Sequence, residues 1–325
     1  MQQSVGMVVQ VDARALARRR KVLLASGITR AALESAGWTS PHFGYHRSTQ
    51  VNDPIRQRIL DAVAVMPDGG AVGGWAAAYL QGATYLDGGW GHPAAIGSGL
   101  GQPVLLVVPP NTVVNRPGIT TLRAKLDNDD VVDVRGIRCT TAIRAGYDLM
   151  RLAPDVTEAV VVGDCLLYAG LTTAEQITQY GAAHPGRRGV RQLKKALPLL
   201  NGAAASPPET RLRLLCLDAG LPPLLVNAPV FDLEGNFLGI IDLLEPRAGL
   251  GLEYDGAQHR ELGQHAADNL REERLEANGL AIVRVTSLDL DDSSATLARI
   301  QEAHRRRLFR YAVGETWTYQ TRAAA

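Results

Sequence analysis

The feature that most constrains the fold is a regular order of helix and strand patterns from Ser206 to about residue 312. A helix with proline near its start is predicted to end before Gly220, and three apolar, strand-like stretches follow it. A polar helical stretch then ends at Asn278–Gly279, before a strand, LAIVRVTS, and a long helix over roughly 290–312. The order α-β-β-β-α-β-α predicts a mixed α/β fold for this region.

Two of these strands carry acidic residues in otherwise apolar surroundings. A hairpin centred between Arg247 and Ala248 would place Asp242 directly opposite Glu253. Asp255 lies two residues after Glu253, so strand geometry predicts that both point to the same face. Directly opposed side chains have Cβ atoms about 4.5–5.5 Å apart, and two like charges at that distance destabilise a sheet. The pair of acids therefore requires a cation. The alternatives are that an arginine neutralises the acids, or that the register differs and both are solvated.

The charge of the chain is nearly balanced overall but divided along its length. There are 34 Lys and Arg against 33 Asp and Glu, which excludes a uniformly basic wrap around nucleic acid. Residues 1–50 nevertheless have a net charge of +5, residues 186–213 of +6 and residues 232–255 of −5. Two basic surfaces for phosphates beside one acidic pocket for a metal ion are typical of a nuclease, although ordinary surface charge also explains such counts.

The chain preceding this region is predicted to form two further domains. Residues 1–50 contain a helical stretch over Val11–Ala25 and a second one capped by Thr29, joined by a turn with Gly27. This pair suggests a helix-turn-helix, but such pairs are also common as packing units, and no third helix is predicted before residue 51. Residues 51–200 alternate helices with strands and predict an α+β domain. Residues 201–208 are assigned to a linker, and residues 201–325 to the third domain.

Several other classes of protein are excluded by composition and motifs. No apolar run approaches the roughly 18 residues of a membrane span, and the N-terminal stretch does not resemble a signal peptide. Three cysteines, far apart and odd in number, argue against a disulfide framework or a zinc site. The chain contains no Walker A, HExxH, CxxC or GxSxG motif. We therefore expect a cytoplasmic protein without a membrane partner.

The acidic residues resemble a motif of the PD-(D/E)XK nuclease superfamily, and the closest resemblance is to a domain allied to very-short-patch repair (Vsr-like) endonucleases. The motif is Asp242, then ten residues, then Glu253-Tyr254-Asp255-Gly256 and His259. The residues that continue the match are Glu209 in the first helix, Asp268 to Arg271, Leu275, Gly279 and Val283 to Thr286. The resemblance covers roughly residues 206–312 and implies a restriction-endonuclease-like αβββαβ core.

The resemblance also implies a metal-dependent reaction. Asp242 and Glu253, with the carbonyl of Tyr254, would ligate Mg²⁺ or Mn²⁺, and the domain would hydrolyse phosphodiester bonds in DNA. The superfamily usually has lysine two residues after the glutamate, whereas this chain has Asp255. An acid cannot stabilise developing negative charge as an ammonium group does.

The departure at Asp255 leaves several roles open. Asp255 would be a further ligand, with His259 orienting or deprotonating water, or His259 is a surface residue after a turn. Arg271 or Arg274 would supply the missing cation, and Glu209 would complete the acidic site. The sequence therefore predicts a metal-dependent DNA endonuclease. The alternative is a catalytically inactive DNA-binding regulator, such as an antitoxin-like repressor, with a degenerate nuclease fold.

Residues 1–200 resemble N-terminal regions that are joined to this domain in actinobacterial proteins and are often described as AbiEi-like antitoxin domains. The segments that carry this resemblance are GITRAALESAGW, AVGGWAAAYLQGA and PVLLVVPP. The middle domain would then hold a protein partner, which makes a structural adaptor the third alternative. Double-strand cutting requires two active sites, so a homodimer is compatible with the predicted endonuclease.

Overall fold

The computed structural model describes residues 15–50, 52–89, 101–255, 262–310 and 316–320, with only the backbone described at 262–269 and 309–310. Its architecture is mixed α/β, as predicted. Contacts divide the chain into two compact units, the first of residues 1–152 and 175–190, the second of residues 153–174 and 191–325. The predicted boundaries at residues 50 and 200 lie inside the first and the second unit, respectively.

The first unit begins with a small antiparallel sheet of order β1-β3-β2 and two short helices. These elements are β1 (Arg18–Arg19), α1 (Arg20–Ala25), α2 (Arg30–Leu33), β2 (Trp38–His42) and β3 (Tyr45–Ser48). The two helices and the intervening turn at Gly27, with φ 92°, are present as predicted. The predicted helix over Val11–Ala25 is shorter in the described part, because residues 18–19 pair with β3 instead.

The rest of the first unit is built on a mixed sheet of order β6-β5-β4-β8-β7. Its strands are β4 (Ala71–Gly73), β5 (Val104–Val108), β6 (Ile119–Arg123), β7 (Val131–Val134) and β8 (Ile137–Thr140). Its helices are α3 (Pro54–Val63), α4 (Gly74–Gln81), α5 (Ala142–Leu152) and α7 (Ala174–Ala183). β7 and β8 form a hairpin that turns at Arg135 and Gly136, whose φ values are 54° and 80°.

A buried ionic cluster joins α5, α7 and the residue that precedes β7. The guanidinium of Arg144, which is fully buried, donates to Asp148 at 2.7 Å and to Asp130 at 2.9 Å. Tyr180 donates its hydroxyl to the other oxygen of Asp130 at 2.5 Å, and Arg151 donates to Asp148 at 2.6 Å. Two cations and two anions therefore neutralise one another where water cannot reach them.

The second unit contains a five-stranded sheet of order β12-β11-β10-β9-β13. Its strands are β9 (Leu225–Asp232), β10 (Phe237–Glu245), β11 (Leu250–Asp255), β12 (Ala281–Thr286) and β13 (Trp317–Tyr319). Its helices are α6 (Val156–Tyr168), α8 (Val190–Ala196), α9 (Pro207–Asp218), α10 (Leu262–Ala277), α11 (Ser287–Asp291) and α12 (Ser293–Arg310). β9, β10 and β11 form an antiparallel meander, and β12 pairs parallel to β11 after α10. The α-β-β-β-α-β order read from the sequence is thus present.

Apolar clusters lie on both faces of this sheet. Leu212 of α9 and Ile300 of α12 belong to one cluster with Leu243 of β10. Leu275 of α10 and Leu244 of β10 belong to the other. Neighbouring residues of one strand thus contribute to opposite clusters, which gives helix, sheet and helix layers. Among the described helices, none is long and apolar enough to cross a membrane.

Residues 201–208 lie inside the second unit and are packed there, so their assignment to a linker was wrong. The N–H of Asn201 donates to Asp164 of α6 at 2.6 Å, and Ala204 is buried in the apolar cluster around Leu212. Pro207 already belongs to α9. Small residues and prolines are frequent in linkers, but here their size allows close packing, which composition alone does not reveal.

Candidate functional site

The hairpin of β10 and β11 has the register that the sequence predicted. Leu243 pairs with Leu252, Leu244 with Gly251 and Glu245 with Leu250. The same ladder, continued by one residue, places Asp242 opposite Glu253. The predicted register is therefore confirmed, and the two acids belong to neighbouring strands at one end of the hairpin.

The turn that fixes this register is held by a buried carboxylate. Glu245 accepts the N–H of Ala248 at 2.5 Å and that of Arg247 at 3.3 Å. Gly249 completes the turn with φ 56°, a conformation that L side chains rarely adopt. Because a shift of one residue would move every side chain to the other face, this turn also determines which acids meet.

Asp242 is the titratable group of the site with the strongest perturbation. Burial raises its pKa from 3.8 to about 7; the N–H of Tyr254 opposes this by donating to Asp242 Oδ2 at 2.9 Å. The nearby carboxylates of Glu209 and Glu253 raise the pKa further, whereas Arg271 lowers it. Three acidic side chains from α9, β10 and β11 are thus close enough to influence one titration.

Arg271 of α10 supplies the cation next to these acids. Its guanidinium binds the carboxylate of Glu253 through two contacts, of 2.5 Å and 3.2 Å, and also donates to the carbonyl of Ile240. A Cβ at Gly239 would lie 2.6 Å from Arg271 Nε, so the missing side chain leaves room for the guanidinium. The predicted register of Asp242 and Glu253 is therefore present together with an arginine that neutralises one of the two acids, which was one of the alternatives to a metal ion.

Glu209 lies near the acids but its carboxylate is engaged at the start of its own helix. It accepts hydrogen bonds from the N–H of Ala205 at 2.9 Å, the hydroxyl of Ser206 at 2.8 Å and the amide of Asn227 at 2.8 Å. Asn227 was missed by the sequence analysis. Its φ of 47° is unusual for a residue inside a strand, and an asparagine inside the apolar strand β9 is the signal that could have indicated it.

Of the remaining predicted site residues, the structure describes Asp255 and Tyr254. Asp255 is half-buried at the end of β11, in register with Thr286 of β12. Tyr254 precedes it and contributes its N–H to Asp242. His259 lies outside the described residues. Among the residues that the structure describes, no group of three or more His, Cys, Asp and Glu is arranged to hold a metal ion.

The donor set nevertheless suits one type of ion. Asp242, Glu253 and the carbonyl of Tyr254 offer oxygen ligands, which Mg²⁺ and Mn²⁺ prefer. Arg271 compensates the charge of Glu253, and the three hydrogen bonds to Glu209 orient that carboxylate inside α9. A metal ion held by both carboxylates would have to compete with Arg271 for Glu253.

Two arginines of the basic segment 186–213 are structural rather than available for phosphates. Arg211 pairs with Glu158 at 2.7 Å and Arg213 with Asp164 at 2.9 Å, both acids lying on α6. The exposed cations of α8 are Arg191, Lys194 and Lys195. The charge count of this segment therefore overstates the surface that it can offer to a polyanion.

The raised pKa of Asp242 predicts a pH-dependent stability of the second unit. A carboxyl whose folded pKa exceeds its unfolded value retains its proton longer when folded, so stability falls as pH rises from about 4 to about 7. We expect the free energy of unfolding of Asp242→Asn to fall by about 1–2 kcal/mol less than that of the wild type between pH 4 and pH 7. Urea unfolding at several pH values would measure it. Burial also raises the pKa of Asp164, to about 6, so this residue titrates in the same pH range. The contribution of Asp242 is therefore the difference between the pH profiles of the wild type and the variant. Identical pH profiles of the two proteins would contradict the prediction.

Comparison with known proteins adds relatives but no function. No protein-family model matches the chain, and no solved structure is significantly similar to it. Two uncharacterized proteins of Mycobacterium tuberculosis, one from strain H37Rv and one from strain CDC 1551, are each 26% identical to it over 159 residues. The match covers 49% of this chain and 56% of each relative. The chain thus spans about half the length of the relatives it matches.

Proposed function

We propose that the second unit is a restriction-endonuclease-like domain that hydrolyses phosphodiester bonds in DNA with the help of Mg²⁺ or Mn²⁺. The observation that carries the proposal is the register of β10 and β11, which, continued by one residue, brings Asp242 opposite Glu253. Burial is the main cause of the raised pKa of Asp242, and the nearby carboxylates of Glu209 and Glu253 raise it further. Groups with strongly perturbed pKa values are more frequent at functional sites than elsewhere.

Each residue of the site has a role in this proposal. Asp242, Glu253 and the Tyr254 carbonyl would hold the metal, which when bound polarises the scissile phosphate and lowers the pKa of the attacking water. Glu209 keeps negative charge close to Asp242. Arg271 is proposed to leave Glu253 and to contact a phosphate oxygen, the role that the resemblance assigns to a lysine at the position of Asp255. Asp255 and His259 are proposed to bind or orient water.

Incubation of the full chain with supercoiled plasmid DNA in Mg²⁺ or Mn²⁺ tests the proposal. We expect nicked or linear product with the wild type and none above background with Asp242→Ala or Glu253→Ala. Asp218→Ala is the matched control, because Asp218 is an exposed acid at the end of α9 and is not part of the site. Branched and mismatched duplexes extend the substrate panel. Equal cutting by wild type and both site variants would show that the product comes from a contaminant.

The same assay reports on assembly. One active site cuts one strand, so nicked product is expected from a monomer and linear product from a homodimer. Sedimentation at the protein concentrations used for cutting would show whether linear product coincides with a dimer.

A catalytically inactive DNA-binding regulator is the second candidate, and two observations favour it. Arg271 already neutralises Glu253, and Asp255 replaces the usual lysine. This candidate predicts no metal-dependent cutting of any substrate, together with binding of duplex DNA that weakens as salt increases. Replacing the exposed Lys194 and Lys195 of α8 with glutamine would reduce the salt dependence if those residues contact phosphates.

A further inference from the structure

A cavity in the first unit has the composition of an anion site. Its volume is about 750 Å³, within the range of small-molecule pockets. Three arginines line it, Arg18 and Arg19 from β1 and Arg116 from the segment before β6. Among the described residues that line the cavity, none is acidic. Three arginines at one cavity with no acidic residue among the described lining make it positively charged, and an anionic ligand would balance that charge.

Aromatic and sheet contacts hold one of these arginines in place. Arg19 donates from Nε to the hydroxyl of Tyr45 at 2.9 Å, and its guanidinium lies 5.8 Å from the centre of the Tyr45 ring. The backbone of Arg19 pairs with Tyr45 in the sheet. The remaining nitrogens of Arg19 can still donate to a ligand, because a guanidinium has five N–H groups.

The other two arginines of the cavity form no ion pair with a carboxylate of the described residues. Neither Arg18 nor Arg116 has an ion pair within the described ranges, whereas the neighbouring Arg20 pairs with Glu34. Arg116 is half-buried, and its positive charge contributes to lowering the pKa of His42, after the larger effect of burial. A half-buried cation without a counter-ion is costly, so binding of an anion there would be favourable.

Part of the cavity lining is apolar. This apolar wall includes Val22, Met66, Pro67 and Val113, and Val22 and Val113 are 46% and 69% exposed. A ligand that covers these exposed apolar side chains removes their surface from water, which lowers the free energy of the complex. The cavity therefore combines cations that match phosphate oxygens with a surface that suits a flat, weakly polar ring.

We propose that this cavity binds a free nucleoside phosphate, with the phosphates on Arg18, Arg19 and Arg116 and the base on the apolar wall. A concave pocket of this size accommodates a small molecule, whereas a duplex presents its phosphates on a convex surface. The site lies in the first unit and is independent of the proposed nuclease function of the second.

Calorimetric titration of the full chain with adenosine diphosphate in EDTA tests the proposal. EDTA removes divalent ions, so phosphate cannot bind through a metal at the acids of the second unit. We expect adenosine diphosphate to bind at least about tenfold more tightly than either adenosine or pyrophosphate, since each lacks one half of the recognised group. Arg116→Gln should weaken binding at least about tenfold, and Arg18→Gln should also weaken it.

Two controls keep the outcome interpretable. Arg123→Gln removes an exposed arginine of β6 that does not line the cavity, and it should leave the affinity unchanged. Asp242→Ala should also leave it unchanged, which separates this site from the nuclease proposal. Absence of binding, equal binding of adenosine, or unchanged affinity in Arg116→Gln would overturn the proposal. Duplex DNA binding that depends on Arg116, without nucleotide binding, would overturn it in favour of a nucleic-acid surface.

Discussion

Replacement of Arg144 by methionine is expected to reduce the free energy of unfolding of the first unit by about 3–5 kcal/mol. Arg144 is fully buried and donates to both Asp130 and Asp148. Methionine fills part of the volume of Arg144 but cannot donate a hydrogen bond. Within the cluster, Asp130 then keeps only the hydroxyl of Tyr180 as a side-chain partner, and Asp148 keeps only Arg151. Removing one partner of a buried ionic cluster costs more than the cluster itself contributes, because the remaining charges stay desolvated.

Hydrogen exchange in increasing urea is the appropriate measurement, since a chain of two units is not expected to unfold in one step. Amides of α5 and α7 should lose protection at lower urea in Arg144→Met, while those of β10 and β11 should not change. Arg138→Met is the control, because Arg138 is exposed on β8, and its effect should remain within about 0.5 kcal/mol. A loss of less than about 1 kcal/mol in Arg144→Met would mean that water reaches the cluster.

The elements of the second unit could be predicted because their determinants are local. The turn around Arg247 and Ala248 set the register of β10 and β11, and glycine after a polar helical stretch marked the end of α10. Apolar runs of strand length lie between these signals. The facing of Asp242 and Glu253 followed from counting residues across the turn, because the side chains of an extended chain have a fixed period.

What the sequence could not provide are contacts between distant residues. Arg271 was expected to assist the site, but its pairing with Glu253 depends on how α10 lies against β10, where Gly239 makes room. Asn227 of β9 donates to Glu209 of α9 from a residue with a positive φ. Neither contact has a signature in residue spacing, since each joins elements that meet only after the sheet has formed.

Short elements and buried charges were missed for a related reason. β1 consists of two arginines whose strand conformation depends on pairing with Tyr45 and His46, more than twenty residues later. Arg144 and Asp148 have the i, i+4 spacing of a surface ion pair, and only the neighbouring Asp130 and Tyr180 show that they are interior. Charged residues are usually exposed, so composition predicts the wrong environment where a buried network forms.

Replacement of Arg271 by glutamine should affect metal binding and catalysis in opposite directions. Without the guanidinium, Glu253 has no bidentate cation and Asp242 loses a nearby positive charge. A metal ion then no longer displaces a charged hydrogen-bonded pair, and Mn²⁺ should bind about 10- to 100-fold more tightly. If Arg271 also contacts the scissile phosphate, cutting should decrease despite the tighter binding. Calorimetric titration with Mn²⁺ in the absence of DNA measures the first effect, and the plasmid assay measures the second.

Arg274→Gln is the matched control, since Arg274 lies one turn further along α10, is exposed, and was the other candidate for the missing cation. It should leave Mn²⁺ affinity and cutting unchanged. Glu253→Gln should abolish the gain in affinity when combined with Arg271→Gln, because the metal would then lose the carboxylate that the arginine had released. Tighter Mn²⁺ binding with unchanged cutting would assign Arg271 to the acids alone. Weaker Mn²⁺ binding in Arg271→Gln would contradict the competition, and would mean that the arginine organises Glu253 for the metal instead of competing with it.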